Sequence, residues 1–281
     1  MLKHRWNDVL KGICLTLLLI FLFSPIVWIS VMSLKTRVDI ISYTPKFIFK
    51  PTLINYQIVL RAKVDSLSAP VNFPHYFINS IILASGSILM TLIIGLPIAY
   101  VLARIKFLGS ESLAFTFLTF RFAPVLAIMF PLYVIYRYLH IYNTYTGLII
   151  AYQFITLPLC IWFMRSFFLA VPEEIEEGAI IDGCSRWQIF VKIVLPIAKP
   201  GLVSTILVLF IYSWSNLVIG MILGGKEVAP VTVGILNYVA YHEALWGEMA
   251  AALIITMIPG MVISIFVQKH IVHRLSFGAI K

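Results

Sequence analysis

Charge is scarce in this sequence. Only 12% of its 281 residues are Asp, Glu, Lys or Arg, and just 12 are acidic. An ordinary soluble domain carries about 25% charged residues, so a water-soluble fold of this size is excluded. Cysteine is also sparse, with Cys14, Cys160 and Cys184 alone. No C-x-x-C pair or Cys/His cluster accompanies them, which leaves no basis for a disulfide framework or a structural zinc site. The signatures H-E-x-x-H, G-x-S-x-G and G-x-G-x-x-G are missing. One G-x-x-x-x-G-K match runs from Gly220 to Lys226, but Glu227 follows where a phosphate loop needs Ser or Thr for magnesium. That match also closes an apolar run and follows no strand. Basic residues do not alternate with aromatics, which argues against a nucleic-acid partner.

What is abundant is apolar. Hydrophobic residues make up 61% of the chain, and the mean hydropathy is +0.98. Disordered chains are poor in such residues, so disorder is excluded as well. The uncharged runs are Gly12 to Leu34, Phe77 to Ala103, Gly201 to Gly225 and Met249 to Gln268. Ser112 to Tyr136 is interrupted only by Arg121, and Tyr138 to Met164 carries only His140. Each is long enough to cross about 30 Å of hydrocarbon as a helix. A membrane barrel would instead show alternating segments of about 10 residues. The expectation is an all-α polytopic membrane protein with six transmembrane helices, near 12–34, 77–103, 112–136, 145–169, 201–225 and 249–268. The first run exceeds the usual signal-peptide core of about 7–15 residues and no small-residue cleavage site follows, so it reads as a retained anchor.

Lys and Arg set the orientation. With both termini cytoplasmic, twelve basic residues lie inside, from Lys3 to Lys281, while the short outer loops hold only Arg137 and Lys226. The long first outer loop, 35–76, spoils the pattern with six more. No internal repeat is visible, so the inverted-repeat design of many secondary transporters has no support.

The most informative stretch is Val171 to Gly201, VPEEIEEGAIIDGCSRWQIFVKIVLPIAKPG, which holds five of the twelve acidic residues. Pro172 suits a helix start, and Glu173, Glu174, Glu176 and Glu177 complement the positive end of the helix dipole. Ile175, Ala179, Ile180 and Ile181 supply an apolar side. Gly183 can end the helix, and Ser185 can cap a second one. Charge alone would also fit a solvated connector.

Spacing adds a resemblance. Glu177-Gly178-Ala179, then Gly183, then Ile193-Val194-Leu195-Pro196 is similar to the cytoplasmic loop of membrane subunits of ATP-binding cassette importers, whose pattern is E-A-A, three residues, G, nine residues, I-x-L-P. The departure is Gly178 in place of Ala. Tyr56, Asn79-Ser80, Ala103-Arg104, Asn143 to Leu148, Ile181 to Trp187, Ser213-Trp214 and the tail from Leu275 to Lys281 extend the likeness to most of the chain. It resembles the six-span permease of maltose-type carbohydrate importers of bacterial or archaeal plasma membranes.

The resemblance implies a cytoplasmic two-helix coupling loop at 171–200, built on Glu173, Glu174, Glu177, Gly178, Ala179, Ile180, Asp182, Gly183, Ile193, Leu195 and Pro196. Glu177 would meet a basic residue of the ATPase, with Ala179 and Ile180 in its cleft. The tail, Gly278, Ala279, Ile280 and Lys281, would touch the ATPase dimer. The implied partners are a second permease, two ATPase subunits that bind the ATP and magnesium, an extracytoplasmic binding protein and membrane lipid. The chain itself would hold no cofactor and catalyse nothing. The implied cargo is a sugar or polyol, with a lean toward glycerol-like solutes from Arg121 to Pro124 and Gly183 to Trp187.

Substrate-path candidates are Arg121, Gln153, Trp214, Ser215 and Asn216. A charged side chain inside a span is functional by default, yet Arg121 could equally snorkel to the inner face. Where the family's fifth span often reads S-W-N-D or S-W-N-E, this chain has Ser213-Trp214-Ser215-Asn216. The rival class is an ion-coupled secondary transporter or channel, which would need carboxylates within the spans. A membrane enzyme would need clustered His, Asp or Glu at one depth, and His242, Glu243 and Glu248 lack metal spacing.

Overall fold

The computed structural model describes residues 2–61, 71–239 and 245–275. Within them every regular element is helical. Four helical stretches are long and apolar enough to cross a membrane: Leu10–Ser33, Phe73–Arg104, Tyr145–Leu169 and Trp246–Phe266. The pair Arg186–Ile197 and Lys199–Trp214, bent by 78°, adds a fifth if counted as one. The chain divides into two compact units, 1–74 with 234–257 and 75–233 with 258–281.

In the first unit, helix α1 (Leu2–Ser33) runs into a short turn, Arg37–Ile40, and helix α2 (Ile54–Arg61). The last carbonyls of a helix have no partner within it. Here Asn55 supplies one: its Nδ2 donates to the carbonyls of Ser33 at 2.8 Å and Lys35 at 2.9 Å. Ser33 Oγ pairs with Tyr56 Oη at 2.8 Å. Lys35 is buried with its ammonium over the Trp28 and Phe49 rings, 5.8 and 5.1 Å from their centroids. Aromatic faces can hold such a cation away from water. A Cβ on Gly247 would sit 2.8 Å from the Asn55 amide, so only glycine allows this approach.

The second unit is built on helix α3 (Phe73–Arg104) and helix α6 (Tyr145–Leu169). Between them lie α4 (Ser110–Thr119) and α5 (Val125–Tyr138). After α6 come α7 (Glu173–Ile181), α8 (Arg186–Ile197) and α9 (Lys199–Trp214), then the short α10 (Val218–Leu223) and α11 (Val231–Leu236), the last of which runs from the second unit into the first. The last helix, α12 (Trp246–Leu275), begins in the first unit and ends in the second. Helix α6 is buried on most sides, from Gly147 to Phe168, and packs along α9. A helix apolar all round belongs in such a central place.

Two apolar runs are not single helices. The run 112–136 breaks after α4 into a 3₁₀ turn, Phe120–Phe122, and Pro124 caps α5 with Ala123 extended at ψ 133°. Proline forces this, because it lacks an N–H and pushes the preceding residue out of the α region. The run 201–225 breaks at Ser215–Leu217. There Asn216 Oδ1 accepts the Ile219 N–H at 3.0 Å and starts α10. Asn is among the side chains that compete with the helical backbone in this way.

Candidate functional site

Helices α7 and α8 form a bend whose local chemistry is complete. Pro172 precedes α7, and Gly183 closes it at φ +83°. The amides of Gly183 and Cys184 reach back to the carbonyls of Ile180 at 3.0 Å and Ala179 at 2.9 Å, the paired bonds of a Schellman end. Ser185 then caps α8. Its Oγ accepts the Gln188 N–H at 3.3 Å while Gln188 Oε1 accepts the Ser185 N–H at 2.8 Å. Five residues, Phe190–Val194, follow in a π turn before the 78° bend into α9.

One face of α7 is turned into its own chain. Ala179 and Glu176 are buried. Ala179 joins an apolar cluster with Tyr100, Met164, Phe168, Ile189, Phe190, Val194 and Leu209, and half-buried Ile193 and Leu195 pack against it. Glu176 holds the C-terminal end of α3: Arg104 Nε donates to its Oε1 at 2.5 Å and Tyr100 Oη to its Oε2 at 2.7 Å. Arg104 Nη2 also donates to the Val171 carbonyl at 2.7 Å. Every charge here is bonded, as a buried pair requires. A second clasp stands beside it, where Arg165 of α6 donates to the Leu102 carbonyl at 3.1 Å and pairs with Glu111 of α4.

The opposite face of α7 is open. Glu173, Glu174, Glu177, Gly178 and Asp182 are exposed, with Ile175, Ile180 and Ile181 among them. Pro196 is exposed at the end of α8. The isoleucines that suggest a packed side by spacing therefore lie outward, and Ala179 faces the chain's own core rather than outward with Ile180. Sequence reasoning missed Glu176, Tyr100 and Arg104 as one unit. The available signal was the i, i+3 spacing of Glu176 and Ala179, which puts them on one side of a helix.

The substrate-path candidates are dispersed. Gln153 is spent within the helix bundle: its Oε1 accepts Thr91 Oγ1 at 2.7 Å, and its Nε2 donates to the Ile149 carbonyl at 2.9 Å. Thr156 and Ser87 complete that cluster. Trp214 is nearly buried between Phe210, stacked at 5.2 Å, and Phe77, edge-on at 5.5 Å. Ser215 Oγ bonds back to the Ile211 carbonyl at 2.5 Å, and Asn216 Oδ1 accepts the Ile219 N–H at 3.0 Å ahead of α10. Arg121 sits in the 3₁₀ turn of the first break. The tail residues Gly278, Ala279, Ile280 and Lys281, and His242 and Glu243, lie outside the described residues.

At the other end of α3 a second set of polar groups fastens three segments. Asn79 Nδ2 donates to the carbonyls of Glu227 at 2.9 Å and Ala229 at 3.0 Å, while Tyr145 Oη donates to its Oδ1 at 2.6 Å. Ser80 Oγ accepts the Val231 N–H at 2.7 Å. Gly220 to Gly225, the partial phosphate-loop match, is the end of α10 and the turn after it.

The geometry so far describes a membrane protein with a rigid, acid-rich bend fixed to its long helices. Residues 91–277 match the family model described as binding-protein-dependent transport system inner membrane component. The chain belongs to that family. It is thus a membrane permease component of an ATP-binding cassette importer, in which separate subunits hydrolyse ATP and a binding protein delivers the solute. Among its relatives is the trehalose/maltose transport system permease protein MalG of Thermococcus litoralis, 34% identical over 98% of this chain and 99% of that one. The diacetylchitobiose uptake system permease protein DasC of Streptomyces coelicolor is 29% identical over the full length of both. A chain of a bacterial transporter that imports the acidic polysaccharide alginate shares the fold, with a TM-score of 0.77 at 21% identity over 95% of this chain and 97% of that one.

Proposed function

We propose that this permease forms, with a second permease, the path for a sugar or polyol, and that α7 and α8 are the lever through which the ATPase moves it. The observation that carries the reading is the two-sidedness of α7. Its exposed face offers Glu177 and Ile180 to a partner. Its buried face is bolted through Glu176 to Arg104 and Tyr100 on α3. A push on the outer face is therefore delivered to a long helix instead of being absorbed in a loop. In this reading the bend and both termini face the cytoplasm, and the chain crosses the membrane six times. The broken pair α4–α5 and the pair α9–α10 supply the two spans that are not single long helices. Irregular backbone at such depth is tolerated where protein or water covers it. The carbohydrate class rests on the names of the trehalose/maltose and diacetylchitobiose relatives.

The test is charge reversal at Glu177 in the assembled importer. Glu177→Lys should leave membrane insertion and the basal ATPase intact while abolishing the stimulation of hydrolysis by loaded binding protein, and uptake with it. Ordinary uptake by that variant would refute the lever.

A further inference from the structure

Between the C-terminal end of α3 and the start of α8 lies an open bowl of about 530 Å³. Val101 and Ile105 form its apolar wall, and the Tyr100 and Phe190 rings, 4.9 Å apart, form its floor. Its rim carries Lys106, Arg186 and Trp187, all exposed. Arg104 also lines it, but Glu176 already neutralises that guanidinium. No acidic side chain is among the lining residues. The bowl therefore joins an apolar interior to a cationic lip. It sits where the apolar run of α3 meets its first charges, the depth at which Trp and basic side chains mark a membrane boundary.

We propose that the bowl binds an anionic phospholipid, its phosphate and headgroup on Lys106 and Arg186 and the upper part of one acyl chain along Val101 and Ile105. A free phosphate would leave the apolar wall uncovered. A helix of a second subunit would have to bring an acid to this lip, whereas a lipid carries both parts in one molecule. On the lever reading, from which the cytoplasmic placement of this site follows, the lipid lies against Tyr100 and Arg104, the residues that hold Glu176. It thereby braces the anchor of α7. Basic clusters at the cytoplasmic surface draw anionic lipid, each charge contributing about fivefold in affinity. Two charges correspond to roughly 30-fold at this site.

The experiment uses the assembled importer in nanodiscs of mixed phosphatidylcholine and phosphatidylglycerol. Native mass spectrometry reads which lipids the released complex retains, and tail-brominated phosphatidylglycerol reads quenching of Trp187. The wild type should retain phosphatidylglycerol selectively. Lys106→Gln/Arg186→Gln should lose that selectivity by about 30-fold, and Trp187→Phe should remove the phosphatidylglycerol-specific part of the quenching. Unchanged retention and quenching in the double variant would overturn the proposal. So would competition by inorganic phosphate, or a photoreactive residue at Val101 that captures a protein subunit instead of lipid. Glu177→Lys separates the two readings: it should keep the lipid and lose stimulation by the binding protein. Loss of lipid selectivity alone therefore bears on the bowl, and unaltered uptake in Glu177→Lys bears on the lever.

Discussion

Glu176→Ala is the sharpest probe of how α7 is fastened. The glutamate and Arg104 side chains are 3% and 6% exposed, so the substitution leaves a guanidinium out of water without its carboxylate. Removing one partner of a buried pair costs about 3–5 kcal/mol. Arg104 keeps the Val171 carbonyl at 2.7 Å and reaches Glu173 at 4.0 Å, but that glutamate is 64% exposed. These two contacts hold the cost near the lower figure, about 3 kcal/mol. Glu176→Gln preserves shape and one acceptor and should cost less, about 1–2 kcal/mol. The assay is amide hydrogen exchange across residues 173–181 in the assembled importer. Exchange there should accelerate by about 100-fold for the alanine variant, at about 1.4 kcal/mol per decade. More ATP should also be consumed per solute imported. Arg104→Met, alone and combined, completes a double-mutant cycle, and the two single losses should not add. Wild-type protection and stoichiometry in Glu176→Ala, or strict additivity in the cycle, would refute the clasp.

Three further outcomes are expected. Gly178 has open space where a Cβ would stand, so Gly178→Ala should stabilise α7 by about 0.8–1.0 kcal/mol, read as roughly fourfold slower exchange of its amides. A Cβ on Gly201 would lie 2.2 Å from the Phe167 ring. Gly201→Ala should therefore cost about 1–3 kcal/mol through overpacking, seen as a lower melting temperature of the complex, with rescue by Phe167→Ala. Hydrogen bonds from Lys46 and Thr36 hold the Asp39 carboxyl below its ordinary value of 3.8. Because the folded-state value is depressed, the contribution is complete above the ordinary one and fades as pH falls through the depressed one. Protease protection of 36–46 should thus weaken only below about pH 4, and Lys46→Met should reduce that dependence without abolishing it, because Thr36 Oγ1 still donates to the carboxylate at 2.7 Å.

The ends of α7 and the start of α8 could be read from the chain because they depend on local chemistry. Pro172, Gly183 and Ser185 act on backbone groups within a few residues. The role of Glu176 could not be read that way. It is one of four glutamates in five positions, and what distinguishes it is Arg104, 72 residues earlier. The apolar side of α7 shows the same limit. Apolar spacing shows that a helix has a greasy side, but not whether its own chain covers that side. Asn216 and Gln153 look like polar groups waiting for a solute, yet the first starts a helix and the second ties α6 to α3. In both cases the neighbour that claims the side chain is set by packing. The all-helical membrane fold was evident from composition, whereas the breaks at Ala123–Pro124 and Ser215–Leu217 required attention to single residues inside otherwise uniform runs.

Those two breaks bear on how the molecule is made. Unwound peptide groups cannot stay against acyl chains once the insertion machinery lets go, since nothing there replaces their missing bonds. At the second break the chain meets that need itself: Asn216 Oδ1 accepts the Ile219 N–H at 3.0 Å and Thr232 Oγ1 donates to the Asn216 carbonyl at 2.9 Å. That break therefore carries much of its own closure before any second subunit arrives.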